Sequence, residues 1–157
     1  MRVELDPAID AAYIYLMEIG PGDVHRTYPC DPQSVARFIN LDFNASKRLI
    51  GIEVWECGSK RLPAALLRDA QILGDEDVIS PGSQREAELQ QSDEAVVYLR
   101  LSERGAAIAS KYRCDGRTAA KGLTLCFGPD GHLIGIEVRN WSRRLPDEVL
   151  REARLVG

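Results

Sequence analysis

Apolar and polar residues alternate in short runs along the first third of this chain, and Gly, Pro and Asp residues separate the runs. Asp6-Pro7 and Gly20-Pro21-Gly22-Asp23 are typical turn sequences. Alternation of this kind, rich in branched and aromatic residues, predicts short β-strands. We expect five of them, at residues 3–5, 13–16, 24–28, 38–43 and 49–55.

A helical pattern follows the tripeptide Arg-Leu-Pro, which occurs at residues 61–63 and again at 144–146. Proline is favoured at the first position of a helix, where its missing N–H costs nothing. After the first tripeptide, apolar residues recur at helical spacing up to Leu73, and Gly74 is expected to end the helix. After the second, we predict a helix over residues 146–156.

The strand pair around Gly128-Pro129-Asp130-Gly131 predicts an antiparallel hairpin with a short, bulged loop. We expect Phe127 beside Leu133 and Leu125 beside Gly135. With that pairing both faces are apolar, so the sheet should be covered twice. One face would carry Leu123, Leu125, Phe127 and Leu133, and the other Ile134, Ile136 and Val138.

The chain also repeats itself. The hexapeptide Leu-Ile-Gly-Ile-Glu-Val occurs at residues 49–54 and 133–138, and residues 28–54 match a second copy at a constant offset of 84. Repetition of this kind indicates one folding unit used twice.

We therefore predict an α+β protein of two similar units related by an approximate twofold axis. Each is a small antiparallel, hairpin-rich sheet of about five strands followed by a C-terminal helix. The first unit is assigned to residues 1–73, a polar linker containing Pro81-Gly82-Ser83 to 74–84, and the second unit to 85–157. Units of roughly 70 residues have marginal cores, so we expect the two to pack on each other.

The first unit resembles a family of small bacterial proteins known as domain of unknown function 2283. The resemblance lies in the opening at residues 6–16 and in the later hairpin with its hexapeptide at residues 49–54. It covers most of residues 1–61 and, more weakly, the second copy. The resemblance implies a shared fold and a tandem fusion of two such units, and it implies no catalytic residue.

Composition limits the class of protein. With 45% hydrophobic and 28% charged residues, the chain is typical of a folded globular protein rather than a disordered or membrane-spanning one. The acidic start predicts no signal peptide and hence a cytoplasmic location. A net charge of −4 gives no general attraction to nucleic acid or anionic lipid.

Glu53 and Glu137 are the strongest catalytic candidates. Each is an acid between branched apolar residues, once per unit, and two such acids at the unit interface could serve a small hydrolase or ligand-binding enzyme. The alternative is structural, with each acid held by a basic neighbour, Arg37 or Lys121. We favour the structural interpretation, and Gly51 and Gly135 on the same strands indicate close approach by another group.

Cys30 with Asp31, and Cys114 with Asp115, form the second repeated polar motif. Two thiolates and two carboxylates across a twofold axis could bind a metal ion. A neighbouring carboxylate raises a thiol pKa, however, and free cysteines usually pack as small apolar residues. We therefore predict no metal and no cofactor. Cys57 and Cys126 belong to no CxxC motif, and His25 and His132 are not equivalent in the repeat.

Basic residues cluster before each predicted helix, at Lys60-Arg61 and at Arg139 with Arg143-Arg144. No aromatic platform or recognition-helix signature accompanies them, so a solvated or protein-facing surface is favoured over nucleic acid. No glycine-rich phosphate loop is present in the sequence. We expect a non-enzymatic protein-binding or assembly module that binds a protein partner or self-associates, with a homo-oligomer as one form.

Overall fold

A computed structural model describes residues 1–56, 58–73, 88–91, 96–152 and 154–156. The protein has an α+β fold with two antiparallel-rich sheets. Within the described residues the first sheet has six strands, in the order β3-β4-β5-β2-β1-β6. All pair antiparallel except β6, which runs parallel to β1. They are β1 (Arg2–Asp6), β2 (Ala11–Tyr15), β3 (Arg26–Pro29), β4 (Ile39–Phe43), β5 (Leu49–Trp55) and β6 (Gln71–Ile72).

The second sheet also has six strands among the described residues, in the order β9-β10-β11-β8-β7-β12. Here β12 pairs parallel to β7, and the other pairs are antiparallel. The strands are β7 (Glu88–Gln91), β8 (Val96–Arg100), β9 (Ser110–Arg113), β10 (Leu123–Phe127), β11 (Leu133–Arg139) and β12 (Arg154–Val156).

Short helices follow β5 and β11. They are α1 (Gly58–Arg61), α2 (Ala64–Arg68), α3 (Trp141–Arg144) and α4 (Asp147–Glu152). The strands predicted in the first unit are confirmed, but the helix predicted over 146–156 was too long, because its last residues form β12. The helix predicted up to Leu73 was likewise too long, because α2 ends at Arg68 and β6 follows it.

The edge of the first sheet explains why the helices stop early. Leu73 donates its backbone N–H to the carbonyl of Leu5 at 2.9 Å, next to the pairing of β6 with β1. An edge strand presents unpaired backbone groups, whereas a helix of two turns is marginal by itself. Residues 71–73 therefore pair with the sheet instead of extending the helix.

A β-bulge sets the register of the central hairpins. Phe127 pairs with Leu133 as predicted, but Leu125 pairs with Ile136 rather than with Gly135, because the register shifts between Cys126 and Phe127. The same shift occurs between Asp42 and Phe43 in the first sheet. The expectation of two apolar faces was therefore wrong: the core residues of both strands lie on one face, which is the effect of a single extra residue.

One buried cluster contains side chains of both sheets. Phe43 and Phe127 are among the largest fully buried side chains, and Leu62 and Leu145 of the Arg-Leu-Pro tripeptides join them. Since two small sheets share this core, each covers apolar surface that the other would otherwise expose to water.

The predicted linker, 74–84, lies outside the described residues, and the boundaries at 73 and 85 stay predictions. No helix in the described part of the chain is long and apolar enough to cross a membrane.

Candidate functional site

The outer face of the first sheet, turned away from the core, carries a buried polar cluster around Asp42. The Tyr13 hydroxyl donates to Asp42 Oδ2 at 2.6 Å, and the Thr27 hydroxyl donates to Asp42 Oδ1 at 2.5 Å. Burial, followed by the hydrogen bond to Asp42, raises the pKa of Tyr13 far above its usual range. Both carboxylate oxygens of Asp42 are thus occupied, so the cluster stabilises the sheet and offers no free base.

Tyr13 explains the strand glycine. A Cβ built on Gly51 would lie 1.9 Å from the Tyr13 hydroxyl oxygen. In the second sheet a Cβ on Gly135 would lie 2.1 Å from the Tyr98 hydroxyl oxygen. The close approach predicted for both glycines is therefore made by a tyrosine ring lying flat on the outer face.

The second sheet has different chemistry at the equivalent place. Cys126 occupies the position of Asp42, and Lys111 occupies that of Thr27. Burial, with a smaller contribution from Glu137, raises the pKa of the Cys126 thiol to about 11. Burial, then the neighbouring Cys126, raises the pKa of Tyr98 to about 12. A thiol that stays protonated at neutral pH is a poor nucleophile.

Glu53 and Glu137 also lie on these outer faces, between residues of the core face. Glu53 accepts a hydrogen bond from Asn40 Nδ2 at 2.8 Å, and Glu137 pairs with Lys111 Nζ at 2.5 Å. The basic partners expected from the sequence, Arg37 and Lys121, were wrong, since the bulge moves the pairing by one residue. Because strand side chains alternate, both carboxylates point away from the shared core rather than towards each other.

The Cys-Asp motifs meet across the core. Tyr28 and Tyr112 lie hydroxyl to hydroxyl at 3.0 Å. The Tyr112 oxygen accepts the Asp31 N–H at 3.1 Å, and the Tyr28 oxygen accepts the Asp115 N–H at 3.2 Å. These reciprocal bonds join the turns that follow β3 and β9.

The structure brings Cys30 and Cys114 together beside these tyrosines. Both thiols are free and buried, and their mutual hydrogen bond, with burial, raises the pKa of Cys30. The carboxylates turn elsewhere: Asp31 Oδ1 accepts the Gln33 N–H and Asp115 Oδ1 accepts the Arg117 N–H, each at 2.9 Å. No group of three or more His, Cys, Asp or Glu side chains in the described residues is arranged to hold a metal ion.

An exposed aromatic pair stands at the end of the first hairpin. Phe38 and Trp55 are 44% and 37% exposed, and the Trp55 N–H donates to the Phe38 carbonyl at 2.9 Å. The guanidinium carbons of Arg37 and Arg61 lie 5.8 and 5.7 Å from the centre of the Phe38 ring. Arg61 is itself buried, and it donates to the Val35 carbonyl at 3.2 Å.

Of the clefts lined by both halves of the chain, two are the more spacious. One, of about 360 Å³, is lined by residues that include Tyr28, Phe43 and Thr118. The other, of about 520 Å³, has Arg37, Lys60, Arg61 and Glu56 on one side and Asp130 with Gly131 on the other. Neither is lined by Glu53 or Glu137. The second cleft adjoins the aromatic pair through Arg37 and Arg61.

Sequence reasoning missed the aromatic pair. Phe38 has a φ of 64°, a left-handed conformation that few non-glycine residues adopt. The internal repeat carried the signal, because Phe38 aligns with Gly122. A glycine in one copy indicates a positive φ in both, and hence a bulky residue held outside the core in the other.

Comparison with known proteins bears on the first unit. Residues 2–57 match the family described as Protein of unknown function (DUF2283). No curated protein and no solved structure matches the chain. The matched segment contains β1 to β5, so the family match supports the resemblance over this part of the chain.

Proposed function

We propose that the protein is a non-enzymatic binding module, a tandem fusion of two copies of one small unit packed about an approximate twofold axis. Three observations support the fusion. The copies match in sequence, their sheets have equivalent strand orders, and the bonds of Tyr28 to Asp115 and of Tyr112 to Asp31 are reciprocal. The bacterial origin suggested by the family and a cytoplasmic location belong to this proposal.

The observation that carries the binding function is the pair Phe38 and Trp55. Aromatic and arginine side chains dominate the binding energy of protein interfaces. Phe38 is held outside the core at a positive φ, which costs free energy that the fold could avoid with glycine. The guanidinium groups of Arg37 and Arg61 lie within cation–π distance of the ring, and this attraction reduces the side-chain freedom that binding would remove.

Charge selects the partner. Arg37, Lys60 and Arg61 line the cleft of about 520 Å³ beside Phe38, together with two acids, Glu56 and Asp130, so the cations outnumber the carboxylates. Burial and the neighbouring Arg37 lower the pKa of Arg61, which indicates a locally positive environment. The expected occupant is an acidic protein segment with at least one apolar side chain, because such a segment matches both charge and surface. Nucleic acid and membrane are not expected partners.

The rival proposal is a small hydrolase or ligand-binding enzyme using Glu53 and Glu137. It would need a substrate on an outer face, where Glu53 bonds Asn40 and Glu137 bonds Lys111. Both acids already have a hydrogen-bond or ion-pair partner, so we favour the non-enzymatic proposal over this rival.

The test compares interaction partners of wild type with those of Phe38→Gly/Trp55→Arg, which carries the residues of the second unit at these positions. Affinity capture from the native host, quantified by mass spectrometry, should yield an acidic partner that the variant loses. Direct titration of the purified partner must reproduce the loss. Ile108→Ala, which removes an exposed apolar side chain elsewhere, is the matched control and should bind normally.

Sedimentation velocity separates the remaining outcomes. Self-association abolished by Phe38→Gly/Trp55→Arg would make the partner a second copy of this chain, as in a homo-oligomer. A wild-type protein that stays monomeric and captures nothing, or a variant that binds as wild type does, contradicts the proposal. Thermal melting monitors folding of the variant, and Phe38→Gly should not destabilise the protein because glycine adopts positive φ at little cost.

A further inference from the structure

The two units differ at the position of the aromatic pair. Gly122 stands where the first unit has Phe38, and Arg139 stands where it has Trp55. The backbone is equivalent: Gly122 has a φ of 83°, and its carbonyl accepts the Arg139 N–H at 2.9 Å. Replacing a phenyl ring by hydrogen on the same backbone leaves open space.

That space is part of a cleft of about 310 Å³. Its lining is strongly basic, because it contains four cationic side chains and no carboxylate. The residues that carry charge or hydrogen-bonding groups are Arg113, Lys121, Arg139, Arg144, Thr124 and Asn140.

Part of this basic character is specific to the second unit. Pro29 and Trp55 occupy the positions of Arg113 and Arg139, so two of the four cations have no counterpart in the first unit. Glu56 occupies the position of Asn140, so this acid of the first unit has no counterpart in the basic cleft of about 310 Å³. The first hairpin thus ends in an exposed aromatic pair, whereas the second, otherwise similar hairpin ends in a cationic cleft.

None of the four cations forms an ion pair with a described residue. Arg144 Nη1 donates to the Ala119 carbonyl at 2.9 Å, which anchors that guanidinium at the wall of the cleft. Grouped like charges without a counter-charge repel one another, and a bound anion removes this cost.

We propose that this cleft binds a small phosphate-bearing ligand, a phosphate monoester or diphosphate. Arginine forks match phosphate oxygens with paired hydrogen bonds, and Lys121 adds a point charge. Thr124 and Asn140 supply neutral donors for the remaining oxygens. The four cations suit a ligand with two or more negative charges better than a monocarboxylate.

The fold and the volume limit the ligand further. Arg113 ends β9, Thr124 lies in β10, Arg139 ends β11 and Arg144 ends α3, so separate elements converge on one point. A cleft of about 310 Å³ is at the small end of ligand pockets, which span roughly 300–1,000 Å³. It suits a diphosphate or a small phosphate ester rather than an extended polymer.

The test is calorimetric titration of the full chain with inorganic pyrophosphate at low ionic strength. One site per chain is expected, and the affinity should fall as salt is added, because the cations are largely exposed. Gly122→Phe fills the cleft with the ring of the first unit without changing any charge. It should weaken binding by at least about tenfold.

Lys121→Ala gives a second readout that does not depend on packing, and should also weaken binding. Arg68→Ala, at an exposed position in α2, removes a positive charge elsewhere and should leave affinity unchanged. Circular dichroism melting confirms that each variant is folded. These variants leave Phe38 and Trp55 intact, so the result is independent of partner binding by the first unit.

Several outcomes overturn the proposal. They are undetectable binding of pyrophosphate, two equivalent sites per chain, unchanged affinity in both Gly122→Phe and Lys121→Ala, and sulfate binding as tightly as pyrophosphate. An RNA oligonucleotide that binds more tightly than pyrophosphate, and loses affinity with Lys121→Ala, would identify a nucleic-acid surface instead.

Discussion

Tyr28 and Tyr112 touch hydroxyl to hydroxyl at 3.0 Å, and each oxygen also accepts a backbone N–H from the turn that follows the strand of the other tyrosine. Each tyrosine belongs to the edge strand of its own sheet, β3 or β9. Its hydroxyl oxygen accepts a backbone N–H in the turn that follows the edge strand of the other sheet. The two tyrosines therefore link the two sheets at the edge of the shared core.

The first prediction concerns this contact. Tyr28→Phe or Tyr112→Phe should lower the free energy of unfolding by about 1 kcal/mol, the usual net contribution of a hydrogen bond. The double variant should lose less than the sum, because the two hydroxyls bond each other. Urea denaturation of the four proteins measures this. Additive losses would show that the hydroxyls act independently.

A second prediction tests the common core. Leu41 and Leu125 are fully buried at equivalent positions in one cluster. Leu→Ala at either site should cost about 2–5 kcal/mol, the usual range for core truncation. Calorimetry should still show one transition in each variant, since neither sheet keeps a core alone. Ile108→Ala, on the surface, should change stability by less than about 0.5 kcal/mol, and two separate transitions would indicate independent cores.

The strands of the first unit and the pairing of Phe127 with Leu133 were predictable, because alternation and turn residues are local signals. The position of the bulge was not predicted, because residues 133–136 are apolar apart from a glycine and therefore fit either register. The bulge moved Ile136 and Val138 to the core face and changed the neighbours of Glu53 and Glu137. The strands β6 and β12 were missed because their short segments continue the helical spacing and pair only with distant strands.

The candidate sites were predictable only in part. The repeat pointed to Cys30 and Cys114, which the fold brings together. It could not indicate Asp42, because its counterpart is Cys126 and the motif is not shared. The aromatic pair and the cationic cleft lie where the copies differ, at Phe38 and Gly122. The predicted sites were instead residues that are the same in both copies.

The third prediction concerns the close approach of tyrosine to strand glycine. Gly51→Ala places a methyl group in the space of the Tyr13 ring, so it should cost about 1–3 kcal/mol, as overpacking does. Adding Tyr13→Ala should make the glycine substitution nearly neutral, because the clash is gone. Chemical denaturation of the double-mutant cycle measures this coupling. A Gly51→Ala protein as stable as wild type would show that the ring moves freely.

The fourth prediction concerns the repeated acids. Glu137→Gln removes a partly exposed ion pair with Lys111 and should cost about 0–1 kcal/mol. Glu53→Gln keeps an oxygen that can accept from Asn40, so its cost should be similar or smaller. Binding of the protein partner should be unchanged in the double variant. A double variant that melts higher than wild type and loses a measurable activity would favour the enzymatic rival.

The last prediction follows from the Cys126 thiol, whose pKa is raised from 9.0 to about 11, first by burial and then by Glu137. Because the folded state holds this proton more tightly than the unfolded state does, the stabilisation is fully present below pH 9. It is lost as the pH rises towards about 11. The pKa of Tyr98 is raised to about 12, so the stabilisation that this residue contributes is lost at still higher pH. Urea denaturation between pH 8 and 11 should therefore show falling stability in wild type and a shallower fall in Cys126→Ala. The stability of each protein is compared with its own value at pH 8, so the loss of packing in Cys126→Ala is separated from the effect of thiol ionisation. Parallel curves for the two proteins would mean that the thiol ionises alike in both states.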